Sequence, residues 1–118
     1  MRILLADDEP AVRRLYQQML EGNGFEVEAA IDGQEALDMV TSDSFDLMIL
    51  DLNMPRLDGF EVMYKLKGAD QKTPVIVITG HFPEEVVEDR LEGFGVVEVM
   101  RKPVMITTLL NSVKRVTG

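Results

Sequence analysis

The sequence predicts an α/β fold: a five-stranded parallel sheet with helices packed on both faces. Two observations carry this. Short apolar runs alternate strictly with stretches of helical spacing, five times over, which implies a parallel sheet covered on both sides. The third run, Leu47-Met48-Ile49-Leu50, then ends abruptly in Asp51, and Asn53, Pro55 and Gly59 break regular structure before the next helical pattern. A buried strand that carries a carboxylate to the open edge of a sheet has this shape, and ligands of open α/β sheets bind at the carboxyl ends of the strands.

Each element has its own signal. Arg2–Ala6 is a short apolar run read as a buried strand, and Asp7, Asp8 and Glu9 follow it at once. Pro10 suits the first turn of a helix, in which Val12, Leu15, Tyr16, Met19 and Leu20 recur at helical spacing until Gly22-Asn23-Gly24. Phe25–Ala30 begins by alternating, like a strand with one wetter face. Asp32 with Glu35 has the form of a capping box, and the helix beyond carries Ala36, Leu37 and Val40. After Asp51, Asp58-Gly59-Phe60-Glu61 repeats that cap, and Val62, Met63 and Leu66 make a helical face. Gly68–Thr73 is polar, and Pro74–Ile78 is the most β-branched run, ending in Thr79-Gly80-His81. Pro83 opens an acidic helix with Val86, Val87 and Leu91 on one side. Gly93 and Gly95 bracket a break, Val96–Met100 is the fifth strand, and Arg101-Lys102-Pro103 ends it. Ile106, Leu109, Leu110 and Val113 mark the last helix.

Composition narrows the function. The 118 residues suit one domain, spanning 1–118. The net charge of -9 argues against nucleic acid as a direct partner, since phosphate binding draws on Lys/Arg clusters; it suits a cation or a basic protein surface. No cysteine is present, which removes disulfide and thiolate chemistry and fits a reducing, cytoplasmic setting. The N-terminal run is too short and acidic for a signal peptide, and no apolar stretch approaches the ~20 residues of a membrane helix.

In a parallel sheet all carboxyl ends share one edge, so Asp7, Asp8, Asp51, Thr79 and Lys102 are expected together there. Each pair of carboxylates at about 4 Å costs roughly 4 kcal/mol at an effective dielectric of 20. A divalent cation offsets that repulsion, and an all-oxygen carboxylate site favours magnesium, calcium or manganese over zinc. A metal, a lysine and a hydroxyl around one aspartate make an arrangement for phosphoryl transfer, with Asp51 as nucleophile.

These residues, in this order, resemble the receiver domain of two-component response regulators: DD at 7 and 8, D at 51, NMP at 53–55, DG at 58–59, T at 79 and KP at 102–103. The resemblance spans the whole chain. It implies the flavodoxin-like, doubly wound (βα)5 sheet in the order 2-1-3-4-5. It implies Asp51 as phosphoacceptor, Thr79 as switch hydroxyl and Lys102 as the phosphate-contacting lysine, with the Lys102-Pro103 bond cis. Asp7, Asp8, Asp51 and the backbone carbonyl of Asn53 are the implied ligands of Mg2+, with Mn2+ as substitute. The implied partner is a histidine kinase or histidine phosphotransfer protein. The chain then acts as a switch rather than as an enzyme on outside substrates.

Two departures stand out. The family places Tyr or Phe three residues before the lysine, and this chain has Val99. Its last helix starts at Val104-Met105-Ile106 without a polar cap; either these apolar residues tuck into the core edge, or they join a face on the fourth helix, fifth strand and fifth helix where a second copy or an effector docks. His81 and Asn53 are expected at the pocket rim. Three rival readings are weaker. A haloacid-dehalogenase-type phosphatase wants its nucleophile on the first strand with an acid two residues on, where this chain has Asn53. A flavodoxin-like cofactor binder wants a hydroxyl- and glycine-rich loop where Asp7-Asp8-Glu9 stands. A degenerate receiver serving as a protein-binding module is kept open only by Val99.

Overall fold

A computed structural model describes residues 1–54, 56–69 and 72–118. Strands and helices alternate through the chain: β1 (Arg2–Ala6), α1 (Pro10–Gly22), β2 (Glu26–Ala30), α2 (Gly33–Ser42), β3 (Leu47–Asp51), α3 (Gly59–Gly68), β4 (Val75–Thr79), α4 (Glu84–Arg90), β5 (Val96–Arg101) and α5 (Ile106–Thr117). All pairings are parallel and the order is β2-β1-β3-β4-β5, the doubly wound sheet that the sequence implies. Pro55 of the NMP motif, and Asp70 and Gln71 of the polar stretch, lie outside the described residues.

The period-2 geometry of each strand sends alternate side chains to opposite faces, so the sheet builds two cores. Leu4, Met48, Leu50, Val75 and Val77 face α2, α3 and α4. Ile3, Leu5, Leu47, Ile49, Ile76 and Ile78 face α1 and α5, where they meet Leu20, Leu109 and Val113. β3 and β4 are buried along their whole length, which is why they read as unbroken apolar runs.

Helix faces are narrower than the spacing suggests. Leu15 and Val86, assigned above to buried stripes, are 47% and 40% exposed. α4 has seven residues and turns inward only Val87; Leu91 is buried as the residue that caps its end. The apolar start of α5 divides: Met105 is 70% exposed, whereas Ile106 packs against the α1–α5 core. No side chain caps α5, as its sequence implies. The cap at α2 differs from a capping box. Asp32 accepts from the Glu35 N–H, but Glu35 Oε1 accepts from the N–H of Ile31 rather than from that of Asp32. At α3 the box is complete, with Asp58 and Glu61 serving each other.

Gly59 explains why Asp58 is followed by glycine. A Cβ there would lie 2.6 Å from Leu52 Cα and 3.1 Å from the Asp51 carbonyl oxygen. The first turn of α3 therefore rests against the end of β3, and the Gly59 N–H donates to the Leu52 carbonyl at 3.0 Å. Overpacked sites typically lose 1–3 kcal/mol, and here the clash is with backbone, which cannot rotate away. Gly59→Ala is expected to lower stability by about 2–3 kcal/mol in urea denaturation. A change under about 0.5 kcal/mol would show that the contact relaxes freely.

Candidate functional site

Strand register gathers the polar residues. Ala6 pairs with Leu50, so Asp7 and Asp51 emerge side by side; Asp51 pairs with Ile78, one residue before Thr79; Thr79 pairs with Arg101, one before Lys102. The Lys102 N–H donates to the Thr79 carbonyl at 2.8 Å, and the Lys102-Pro103 bond is cis, as implied. The carboxyl edge thus brings Asp7, Asp8, Asp51, Thr79 and Lys102 together.

One oxygen each from Asp7, Asp8 and Asp51 lies within 4.8 Å of the others. Asp7 and Asp51 are each 1% exposed. Asp51 Oδ1 accepts from the Asn53 N–H at 2.9 Å, and Oδ2 accepts from Lys102 Nζ at 2.7 Å. Asp7 Oδ1 accepts from the Glu9 N–H at 2.9 Å, whereas its buried Oδ2 has no hydrogen-bond partner. A buried carboxylate oxygen without a donor, facing two further carboxylates, is what a hard divalent cation fits, so these residues suit magnesium.

The protonation pattern agrees with that arrangement. Burial pushes the Asp7 carboxyl up to about 6, against the pull of the Glu9 N–H; the charge of Asp51 pushes it further the same way. Burial also raises Asp51, opposed by its bonds from Lys102 and Asn53. For Lys102 burial alone would lower the pKa, but the hydrogen bond and charge of Asp51, with the charge of Asp7, outweigh it and raise the value. The lysine is therefore a fixed cation.

Thr79 is fully buried, and its hydroxyl is engaged on its own loop. It donates to the Phe82 carbonyl and accepts from the Phe82 N–H, both at 3.1 Å. Asn53 is half-buried, and its side-chain Nδ2 is buried without a hydrogen-bond partner among the described residues. His81 is exposed next to Gly80. Gly80 leaves room above Lys102: a Cβ there would meet Lys102 Cδ at 3.4 Å, an easy contact for alanine.

Two contacts escaped the sequence reading. Glu9 Oε1 takes a second bond from Lys102 Nζ at 3.3 Å; a third acid directly after Asp7-Asp8 was the available signal. Arg56, at φ 70° in the left-handed region, donates to the buried Asp32 carboxylate at 2.8 Å and ties the loop after β3 to the cap of α2. Asp32 is held below the usual carboxylate range by the Glu35 N–H and then by Arg56. No local pattern links residues 24 positions apart.

Val99, at the place of the family's aromatic, is half-buried on β5. A hollow of about 320 Å³ opens beside it, lined by Leu91, Val96 and Val97 among others.

Comparison with known proteins agrees with this geometry. The family model for the response regulator receiver domain matches residues 3–114. The response regulator MprA of Mycobacterium tuberculosis is 42% identical over 112 residues, covering 93% of this chain and 47% of MprA. The chain thus spans about half the length of the curated relatives it matches. Among solved structures, the Francisella response regulator 1452 receiver domain superposes with a TM-score of 0.91 at 28% identity, covering 98% of this chain and 95% of that one. The chemotaxis protein CheY4 of Vibrio cholerae gives 0.86 at 32% identity, covering 98% and 97%. Among the described residues no helix is long and apolar enough to cross a membrane.

Proposed function

Since this chain belongs to the response regulator receiver domain family, we propose that it is a phosphorylation switch whose acceptor is Asp51. The observation that carries this reading is the Asp51 carboxylate itself. It is buried at the end of the central strand, bonded through one oxygen to Lys102 and placed among two further acids.

In this reading an Asp51 carboxylate oxygen attacks the phosphorus of a phosphohistidine on a histidine kinase or phosphotransfer protein. The P–N bond breaks, the imidazole leaves and an acyl phosphate forms on Asp51. Asp7, Asp8, Asp51 and the Asn53 backbone carbonyl would hold magnesium, with manganese able to replace it. When bound, the ion would neutralise charge on the phosphoryl oxygens. Lys102 supplies a fixed positive charge beside the transferring group, and the Thr79 hydroxyl donates to a phosphoryl oxygen. The Asn53 N–H keeps one Asp51 oxygen occupied and so orients the carboxylate. The chain acts on no outside substrate, works in the cytoplasm, and passes its state to a partner. The net charge of -9 belongs to these 118 residues alone, and relatives of twice the length give no support for excluding nucleic acid as a partner.

Incubation with acetyl phosphate and magnesium tests the reading by intact mass. One phosphoryl group is expected per chain, removed by hydroxylamine as an acyl phosphate must be, and blocked when EDTA is present from the start. Labelling that ignores chelation, or that survives hydroxylamine, would defeat it.

A further inference from the structure

The family's aromatic reporter is absent at Val99, yet this chain carries another aromatic cluster, one member of which is bonded to Thr79 through its backbone. The link is Phe82, whose carbonyl and N–H hold both functions of the Thr79 hydroxyl at 3.1 Å. The Phe82 ring meets Phe60 edge-on at 5.1 Å, and Phe60 stacks with Tyr64 at 6.5 Å. Tyr64 meets Phe94 edge-on at 5.5 Å. Two cations lie over the rings: the Arg90 guanidinium is 3.7 Å from the Phe60 centroid, and Lys67 Nζ is 4.3 Å from that of Phe94. Arg90 also donates to the Tyr64 hydroxyl at 3.0 Å. The cluster runs from the floor of the site to the surface of α3 and α4, where Tyr64 is 42% exposed.

From this geometry we infer that Phe82 is a positioning residue for Thr79, and that Phe82, Phe60 and Tyr64 carry the phosphorylated state to the α3–α4 face in place of an aromatic at position 99. The inference rests on the acceptor role of Asp51. A hydroxyl has one proton. Thr79 can give it to the Phe82 carbonyl or to a phosphoryl oxygen, not to both. A hydrogen bond to an ionised oxygen is roughly twice as strong as one between neutral groups, so the phosphoryl group wins that competition. The Phe82 carbonyl then loses its donor in a half-buried place, and an unpaired carbonyl there is costly. Residues 80–82 must move to find it another partner, and exposed Gly80 gives them the freedom. The Phe82 ring moves with its backbone and shifts its contact with Phe60. Since Phe60 is 4% exposed and bracketed by Arg90 and Tyr64, the displacement emerges at Tyr64.

Fluorotyrosine labelling with 19F NMR tests this, because the chain has 2 Tyr, Tyr16 and Tyr64. Tyr64→Phe assigns the signals. With acetyl phosphate and magnesium, the Tyr64 resonance of the wild type is expected to move in proportion to the labelled fraction measured by mass. Phe82→Ala is expected to become labelled while its Tyr64 resonance stays fixed, and Phe82→Tyr to restore the movement. Arg90→Ala, at an exposed position, removes the cation over Phe60 and the bond to the Tyr64 hydroxyl but leaves Phe82 in place, and is expected to lose at least half of the shift; it serves if Phe82→Ala does not fold. A labelled wild type with a static Tyr64 signal, a Phe82→Ala protein whose signal still moves, or a full shift in Arg90→Ala would overturn the relay. Failure of the wild type to label at all would instead remove the acceptor reading beneath it.

Discussion

Asp51→Asn is expected to slow labelling by acetyl phosphate at least about 10³-fold relative to the wild type. That margin sits well inside the loss expected when an essential nucleophile is removed. Asparagine has nearly the shape of aspartate, and its one amide oxygen can still accept from either Lys102 or the Asn53 N–H, the two donors that the carboxylate takes on separate oxygens. What it lacks is a carboxylate oxygen able to form an acyl phosphate. The fold should survive, because the substitution removes one of three crowded carboxylates and leaves Lys102 paired with Glu9 at 3.3 Å. A thermal melt within a few degrees of the wild type, with no mass increase, is the expected pair of results. Labelling of the variant at the wild-type rate would mean that another group, such as the half-buried Asp8 beside it, is the acceptor.

Asp7→Asn should act in opposite directions on stability and on metal binding. The Asp7 pKa stands at about 6, against 3.8 for the ordinary carboxyl. Between those values the folded chain holds more protons than the unfolded chain. Stability is therefore greatest below about pH 4 on account of this group, and it is lost as pH rises through about 6, by up to roughly 3 kcal/mol. At neutral pH without metal, Asp7 is thus a charge that the fold carries at a disadvantage. Asparagine removes the charge but weakens the bond from the Glu9 N–H, so a net gain of about 1–2 kcal/mol is expected in urea denaturation with EDTA at pH 7.5. Magnesium reverses the ranking. It stabilises the wild type by binding the folded state, and the variant, lacking one carboxylate ligand, should bind at least about tenfold more weakly. Calorimetric titration over pH 5–8 should show wild-type affinity falling below pH 6, where Asp7 takes up a proton. An Asp7→Asn protein that is less stable without metal, or that binds magnesium as tightly as the wild type, would contradict the account.

The inner strands β1, β3 and β4 and the meeting of Asp7, Asp8, Asp51 and Lys102 were legible because they depend on one rule. Buried parallel strands have unbroken apolar sequences, and their carboxyl ends share an edge, so end-of-strand residues become neighbours without any knowledge of loops. What the sequence hid is set by contacts between distant segments. Leu15 and Val86 fit a helical stripe, but α1 and α4 cover only a strip of sheet narrower than that stripe. Met105 and Ile106 are adjacent and equally apolar, yet one turn of backbone sends them to different environments. The Asp32–Arg56 pair and the Phe82–Phe60–Tyr64 cluster follow from loop paths that no spacing encodes. Thr79 was legible as a site residue, but its attachment to Phe82 depends on how the loop after β4 turns.

The close seat of Gly59 on the end of β3 has a mechanical consequence. On that side Asp51 is continuous with a stiff wall: the Leu52 N–H bonds to Ile78, the Leu52 carbonyl takes the Gly59 N–H, and α3 has no space to approach or turn. In the loop after β4, a Cβ at Gly80 would meet nothing closer than 3.4 Å, and among the described residues the Thr79 hydroxyl is what ties that loop back at Phe82. A load applied at Asp51 therefore meets one unyielding boundary and one compliant one, and the work it does is delivered almost wholly to the compliant side.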